Sequence, residues 1–139
     1  MKLNYSPLAT LIMAVTLCTT AMNATEWGRV VELSHFRQQD ETELQTYNRI
    51  IAENDYVVVD FYLSYCGPCK ALAPEFDALA KQYKNILFIK IDAQMYDALS
   101  NQLNIRSAPT LIVYKKGQQI ARWTGGDKQR LRSEVARLV

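Results

Sequence analysis

The sequence predicts an α/β domain, a central mixed β-sheet with helices on both faces. Three observations predict it. Two apolar runs rich in β-branched residues, YVVVDFYL (56–63) and NILFIKID (85–92), have the pattern of strands covered on both faces. Stretches with apolar residues at helical spacing alternate with these runs. Two final short runs, TLIVYK (110–115) and QIARWT (119–124), are joined by KKGQ, a tight-turn signal with Gly117. Strands alternating with helices imply right-handed crossovers and parallel pairing, while the last two strands imply an antiparallel hairpin.

Each element follows from local pattern. RVVEL (29–33) reads as a short strand. Residues 41–52 place Leu44, Tyr47 and Ile51 at helical spacing, with Asp40 as the expected N-cap. Residues 66–83 place Leu72, Phe76, Leu79 and Tyr83 on one helical face. Pro74 lies inside that helix, where it removes the hydrogen bond to the Lys70 carbonyl and is expected to kink the axis. Residues 95–103 read as a short helix with Met95, Leu99 and Leu103 in line. Asp127 is expected to cap a last helix whose shared face carries Leu131, Val135 and Leu138. The predicted order is β-α-β-α-β-α-β-β-α.

The 139 residues suffice for one domain, and 49% hydrophobic with 22% charged residues is a soluble globular composition. A net charge of +2, with both signs spread along the chain, gives no electrostatic reason to propose a nucleic-acid partner. The first 24 residues differ from the rest. Lys2 is their only charge, the apolar block Leu8–Cys18 follows, and a small-residue exit, TTAMNAT, closes the segment. This is the pattern of a secretory signal peptide, with cleavage after Ala21 or Ala24, leaving a domain over 25–139. The block of 11 residues is shorter than the ~20 that span a bilayer. An uncleaved N-terminal anchor is the alternative reading, and a buried core helix the blandest. Cys18 raises the question of lipidation, but Leu17 before it is bulkier than lipoprotein processing usually accepts.

Without the leader the chain keeps two cysteines, Cys66 and Cys69, and a net charge of +1. Three chemistries suit such a pair: redox catalysis, half of a metal site, or a structural staple. A staple is disfavoured because the shortest loops gain the least from closure. A closed zinc site needs four ligands, and His35 is the only histidine, in another part of the sequence. His35 itself is expected at a strand end, without a catalytic role. Redox catalysis fits the local pattern best. In Cys66-Gly67-Pro68-Cys69 the pair opens a helix directly after a strand, and residues three apart share a helical face. Gly67 permits a tight turn, and Pro68 suits a first turn where its missing N–H costs nothing. Unpaired backbone N–H groups and the helix dipole then favour a thiolate at Cys66. Cys66 is the expected nucleophile and Cys69 the expected resolving thiol.

The stretches VDFYLSYCGPCKALAPEF, IRSAPTLIVYKKG and the following TGG resemble the thioredoxin family, in order over about residues 29–139 and including CGPC itself. The resemblance implies a thioredoxin fold and a thiol–disulfide oxidoreductase acting on protein disulfides. It implies no metal or flavin, since the cysteine pair is itself the redox centre. Asp60 matches the family's buried aspartate beneath the second cysteine. Burial should raise its pKa, so that it can take the proton of Cys69 as that thiol attacks. Lys90 matches a lysine near that aspartate. Pro109 matches the family's cis-proline, which would leave the backbone of Ala108 free to pair with an extended substrate. Gly125, beside Gly126, resembles the glycine that keeps the far wall of the groove open. Tyr65, Gly67 and Pro68 complete the expected substrate-binding surface.

Two departures matter. The family usually carries tryptophan where this chain has Tyr62 and Tyr65, although tyrosine still offers a flat apolar face with a polar tip. The leader is the other, since typical members are cytosolic. The leader predicts an exported protein, periplasmic or secreted, and with the resemblance it predicts a monomer that reduces protein disulfides with electrons from a membrane donor. The alternatives are a disulfide oxidase or isomerase of the same fold, and a binding or chaperone module that uses the groove without turnover.

Overall fold

Residues 27–139 are described by the computed structural model. The expectations for the leader and Cys18 lie outside the described residues. The chain forms β1 (Val30–Glu32), a 3-10 turn (Leu33–Phe36), α1 (Glu43–Glu53), β2 (Tyr56–Tyr62), α2 (Gly67–Gln82), β3 (Leu87–Asp92), α3 (Asp97–Gln102), β4 (Thr110–Lys115), β5 (Gln118–Thr124) and α4 (Lys128–Ala136). The sheet order is β1-β3-β2-β4-β5. β3 pairs in parallel with both β1 and β2, whereas β4 is antiparallel to β2 and to β5. This is the predicted mixed sheet, with the 3-10 turn as an added element. His35 falls in that turn, directly after β1. Among the described residues no helix is long and apolar enough to cross a membrane.

Two local expectations are corrected. α1 is capped by Thr42, not Asp40. The Gln45 N–H donates to Thr42 Oγ1 at 3.2 Å and the Thr42 N–H donates to Gln45 Oε1 at 2.8 Å. This reciprocal box satisfies two backbone donors, where a lone aspartate cap would satisfy one. The third helix starts at Asp97 rather than Met95. Asp92 Oδ1 accepts from the N–H groups of Gln94 and Met95 at 2.9 and 3.1 Å, holding the chain in a turn before it can wind. Met95 is consequently 72% exposed and off the packed face, which Leu99 fills.

The core is divided by the sheet. On one face α1 and α3 pack Tyr47, Ile50 and Leu99 against Val57, Val59 and Phe61. On the other, α2 and α4 pack Leu72, Phe76, Leu131 and Val135 against Val58, Phe88, Leu111 and Trp123. The alternation along β2 therefore commits position 60 to the α2 face, because side chains on a strand repeat every two residues. The hairpin turn uses Lys116 and Gly117, both with positive φ (49° and 80°), as a two-residue connection matching the strand twist requires.

Candidate active site

The site is built where β2 ends and α2 begins. After Tyr62 the chain turns, the Cys66 N–H donating to the Leu63 carbonyl at 3.3 Å. Cys66 is the N-cap of α2, and Pro68 lies in the first turn. The Cys69 N–H donates to Cys66 Sγ at 3.2 Å. A sulfur at that position receives a backbone donor and the positive end of a 16-residue helix, and both stabilise a thiolate. Cys66 and Cys69 form a disulfide, their Cα atoms 5.2 Å apart. Cys69 is buried while Cys66 is partly exposed, so an incoming substrate meets Cys66 first.

Behind the disulfide lies Asp60. It is 5% exposed, and its Oδ1 finds no hydrogen-bond partner among the described residues. Burial raises its pKa from 3.8 to about 7, with the charge of Lys90 acting in the opposite direction. A cavity of about 180 Å³ joins Asp60 to Cys69, with Ser64, Lys70 and Lys90 also in its walls. The cavity is mostly apolar but carries the polar groups of Asp60, Ser64, Lys70 and Lys90, and it is roomy enough for several waters. Asp60 and Cys69 thus border one common space.

Lys90 stands opposite Asp60 in the β2–β3 register and opposite Glu32 in the β1–β3 register. Its ammonium pairs with Glu32 Oε1 at 3.3 Å and lies 5.5 Å from the centre of the Tyr62 ring. The Tyr62 hydroxyl donates to the same Glu32 oxygen at 3.3 Å, and burial with the charge of Glu32 pushes its pKa up to about 12. Sequence reading placed Lys90 here but missed Glu32, whose spacing from Lys90 carries no local signal.

The rim around Cys66 comes from three loops. The Ala108–Pro109 bond is cis, and Cys66 Sγ lies 3.5 Å from the Ala108 carbonyl oxygen. The Gly125 N–H donates to the Pro109 carbonyl at 2.9 Å. Gly125 has a φ of +96°, which side chains rarely adopt, while a Cβ on Gly126 would come within 3.2 Å of the Pro68 carbonyl oxygen. The two glycines thus divide the work: Gly125 makes the turn and Gly126 admits the active-site loop. Tyr65, 70% exposed, stands at the mouth of the site, and Gly67 is open to solvent. Arg122, also missed in the sequence, donates from Nη1 to the Leu103 carbonyl and from Nη2 to the Asn104 carbonyl, both at 2.8 Å. It ties down the segment that leads to Ala108. An arginine inside the apolar hairpin run was its one available signal.

The comparisons with known proteins agree with this geometry. The thioredoxin family model matches residues 38–137. Thioredoxin 1 of Plasmodium falciparum is 34% identical over 94 residues, covering 68% of this chain and 90% of that protein. Human thioredoxin is 33% identical over 88 residues, 63% of this chain and 84% of its own length. Among solved structures, thioredoxin f from spinach chloroplast superposes with a TM-score of 0.67 at 29% identity, covering 81% of this chain and 96% of that one.

Proposed function

The chain belongs to the thioredoxin family of thiol–disulfide oxidoreductases, and from that premise we propose that it reduces protein disulfides outside the cytosol. The observation that carries the chemistry is the cavity that joins the buried Asp60 carboxyl to Cys69, behind a disulfide whose other sulfur faces solvent.

The Cys66 thiolate attacks one sulfur of a substrate disulfide. An S–S bond forms to the substrate, the substrate's own S–S bond breaks, and the departing thiolate takes a proton from water. The Cys69 thiol then passes its proton to the Asp60 carboxylate and attacks Cys66 Sγ. The Cys66–Cys69 disulfide forms, the mixed disulfide breaks, and the second substrate thiolate leaves. Two electrons have moved from the cysteine pair to the substrate, with no metal or flavin involved. An Asp60 pKa near 7 suits this step, because the carboxyl is then substantially ionised at neutral pH and still basic enough to accept. The Ala108 backbone and Pro109 hold an extended peptide beside Cys66, with Tyr65, Gly67, Pro68 and Gly125 as the rest of the rim.

The reducing direction is supported by CGPC, which resembles the reducing members of the family more than the oxidising ones. Export is supported by the leader pattern of residues 1–24, with cleavage after Ala21 or Ala24. A reductant outside the cytosol needs electrons delivered to it, so a membrane donor re-reduces the disulfide.

The test is insulin reduction with dithiothreitol. Cys66→Ser is expected to fall to the rate of dithiothreitol alone, and full activity in that variant would overturn the catalytic assignment. Thiol alkylation in vivo is expected to find the pair largely reduced. A reduction potential near that of oxidising foldases would overturn the direction. Mass spectrometry of the mature N-terminus tests the leader, which should be absent.

A further inference from the structure

The sheet register sets three ionisable residues in one row. Glu32 on β1 lies beside Lys90 on β3, and Lys90 lies beside Asp60 on β2. Lys90 thus has a carboxylate one strand away on either side, and its ammonium is ion-paired with Glu32. The Tyr62 hydroxyl donates to the same Glu32 oxygen, and the Tyr62 ring lies under the ammonium. Both members of the ion pair are near half exposed, 44% for Lys90 and 40% for Glu32. Such a pair adds little to stability. Its consequence is directional: it decides where the ammonium points. Asp60, meanwhile, keeps one oxygen without a partner among the described residues.

We propose that Glu32 is a positioning residue for the resolving step, holding the Lys90 ammonium off Asp60 so that the buried carboxyl stays basic enough to take the proton of Cys69. The proposal rests on the reading of Asp60 as proton acceptor given above. The other groups that face Asp60 are consistent with it. Lys70 of α2 shares the cavity wall, Tyr62 lies two residues along β2, Asp92 acts on Tyr62 from β3, and the β4 neighbour in register is the apolar Leu111. Of these, Lys90 is the cation whose charge registers on Asp60, so its direction is the one that matters. An ammonium drawn from Glu32 to Asp60 would favour the ionised carboxylate and weaken it as a base. No covalent change is involved, only the placement of a charge.

The experiment follows the Asp60 carboxyl by carbon NMR in the oxidised full chain, together with the pH dependence of mixed-disulfide resolution in the reduced chain. Glu32→Gln should lower the Asp60 titration midpoint by about 1 pH unit. In a Lys90→Met background, adding Glu32→Gln should then produce no further shift. An unmoved midpoint in Glu32→Gln overturns the proposal. So does an equal shift with Lys90 absent, which would mean that Glu32 acts on Asp60 directly by its charge. Asp60→Asn separates the two levels. If it resolves mixed disulfides at the parent rate and with the parent pH profile, the proton-acceptor reading fails and this proposal with it. If it is slowed while Glu32→Gln leaves the midpoint unmoved, only the proposal about Glu32 fails.

Discussion

The two faces of the sheet treat buried polar groups in opposite ways. On the α1/α3 face they are paired. The Tyr47 and Tyr114 hydroxyls lie 2.8 Å apart in the core, the Asn54 amide donates to the Ile50 carbonyl at 2.8 Å, and the Thr46 hydroxyl donates to Glu41 at 2.9 Å. On the α2/α4 face the Asp60 carboxyl oxygen Oδ1 and the Trp123 indole N–H are buried with no hydrogen-bond partner among the described residues. Burial away from a protein partner disfavours the ionised Asp60 carboxyl, so this cost falls on the α2/α4 side. That side is also the one behind the cysteines. The first face pairs its buried polar groups, and the second leaves a buried carboxyl with a raised pKa, the group to which the proposed mechanism gives the proton.

The comparison breaks most visibly at Asp60. Its folded pKa lies near 7 against 3.8 when solvated. Between those values the folded state holds a proton that the unfolded state has lost, so stability falls as pH rises through the window and stays low above it. The full loss is roughly 4 kcal/mol at about 1.36 kcal/mol per pH unit. Asp60→Asn in the oxidised protein should therefore be a few kcal/mol more stable than the parent at pH 8, with the advantage gone near pH 4. Urea unfolding at the two pH values checks this, and equal stability at pH 8 would mean that the carboxyl carries no such cost.

The opposite sign is expected across the sheet. Tyr114→Phe leaves the Tyr47 hydroxyl buried and alone, and should destabilise the protein by about 1–3 kcal/mol at any pH below the tyrosine range. A neutral outcome in the same unfolding measurement would remove the distinction between the faces. The smallest effect belongs to Trp123. The Arg130 guanidinium lies 4.9 Å from its ring centre, and Arg130→Met should cost about 0.5–1 kcal/mol, with a shift in Trp123 fluorescence. A larger loss would show that the indole is held by more than ring packing.

Much of this was legible in the order of residues. The apolar runs marked β2 and β3 because only strands buried on both faces tolerate such continuity. Asp60 stood out as a charge within one of those runs, and the family resemblance read it as a buried aspartate beneath Cys69. That the CGPC pair opens a helix followed from the strand–CGPC–helix pattern, and KKGQ with Gly117 marked the hairpin. Other features were not legible, for definite reasons. Asp40 and Thr42 both satisfy cap preferences, and only the answering Gln45 side chain selects Thr42. Met95 fits a helical row, but Asp92 holds Gln94 and Met95 in a turn that precedes the helix, which starts at Asp97.

What the sequence alone determined is therefore the set of elements and the chemistry of the cysteine pair, because both depend on residues within a few positions of one another. What only the tertiary structure decided is which distant residues share the site. Sheet order puts β3 between β1 and β2, and that order brings Glu32, Lys90 and Asp60 into one row across 58 positions of chain. Chain closure likewise presses Gly126 against Pro68 and places Arg122 under the loop to Ala108. The physical reason is the range of the forces involved. Periodicity and capping act along the chain, whereas ion pairing, desolvation and close backbone approach act through space, where sequence separation has no bearing.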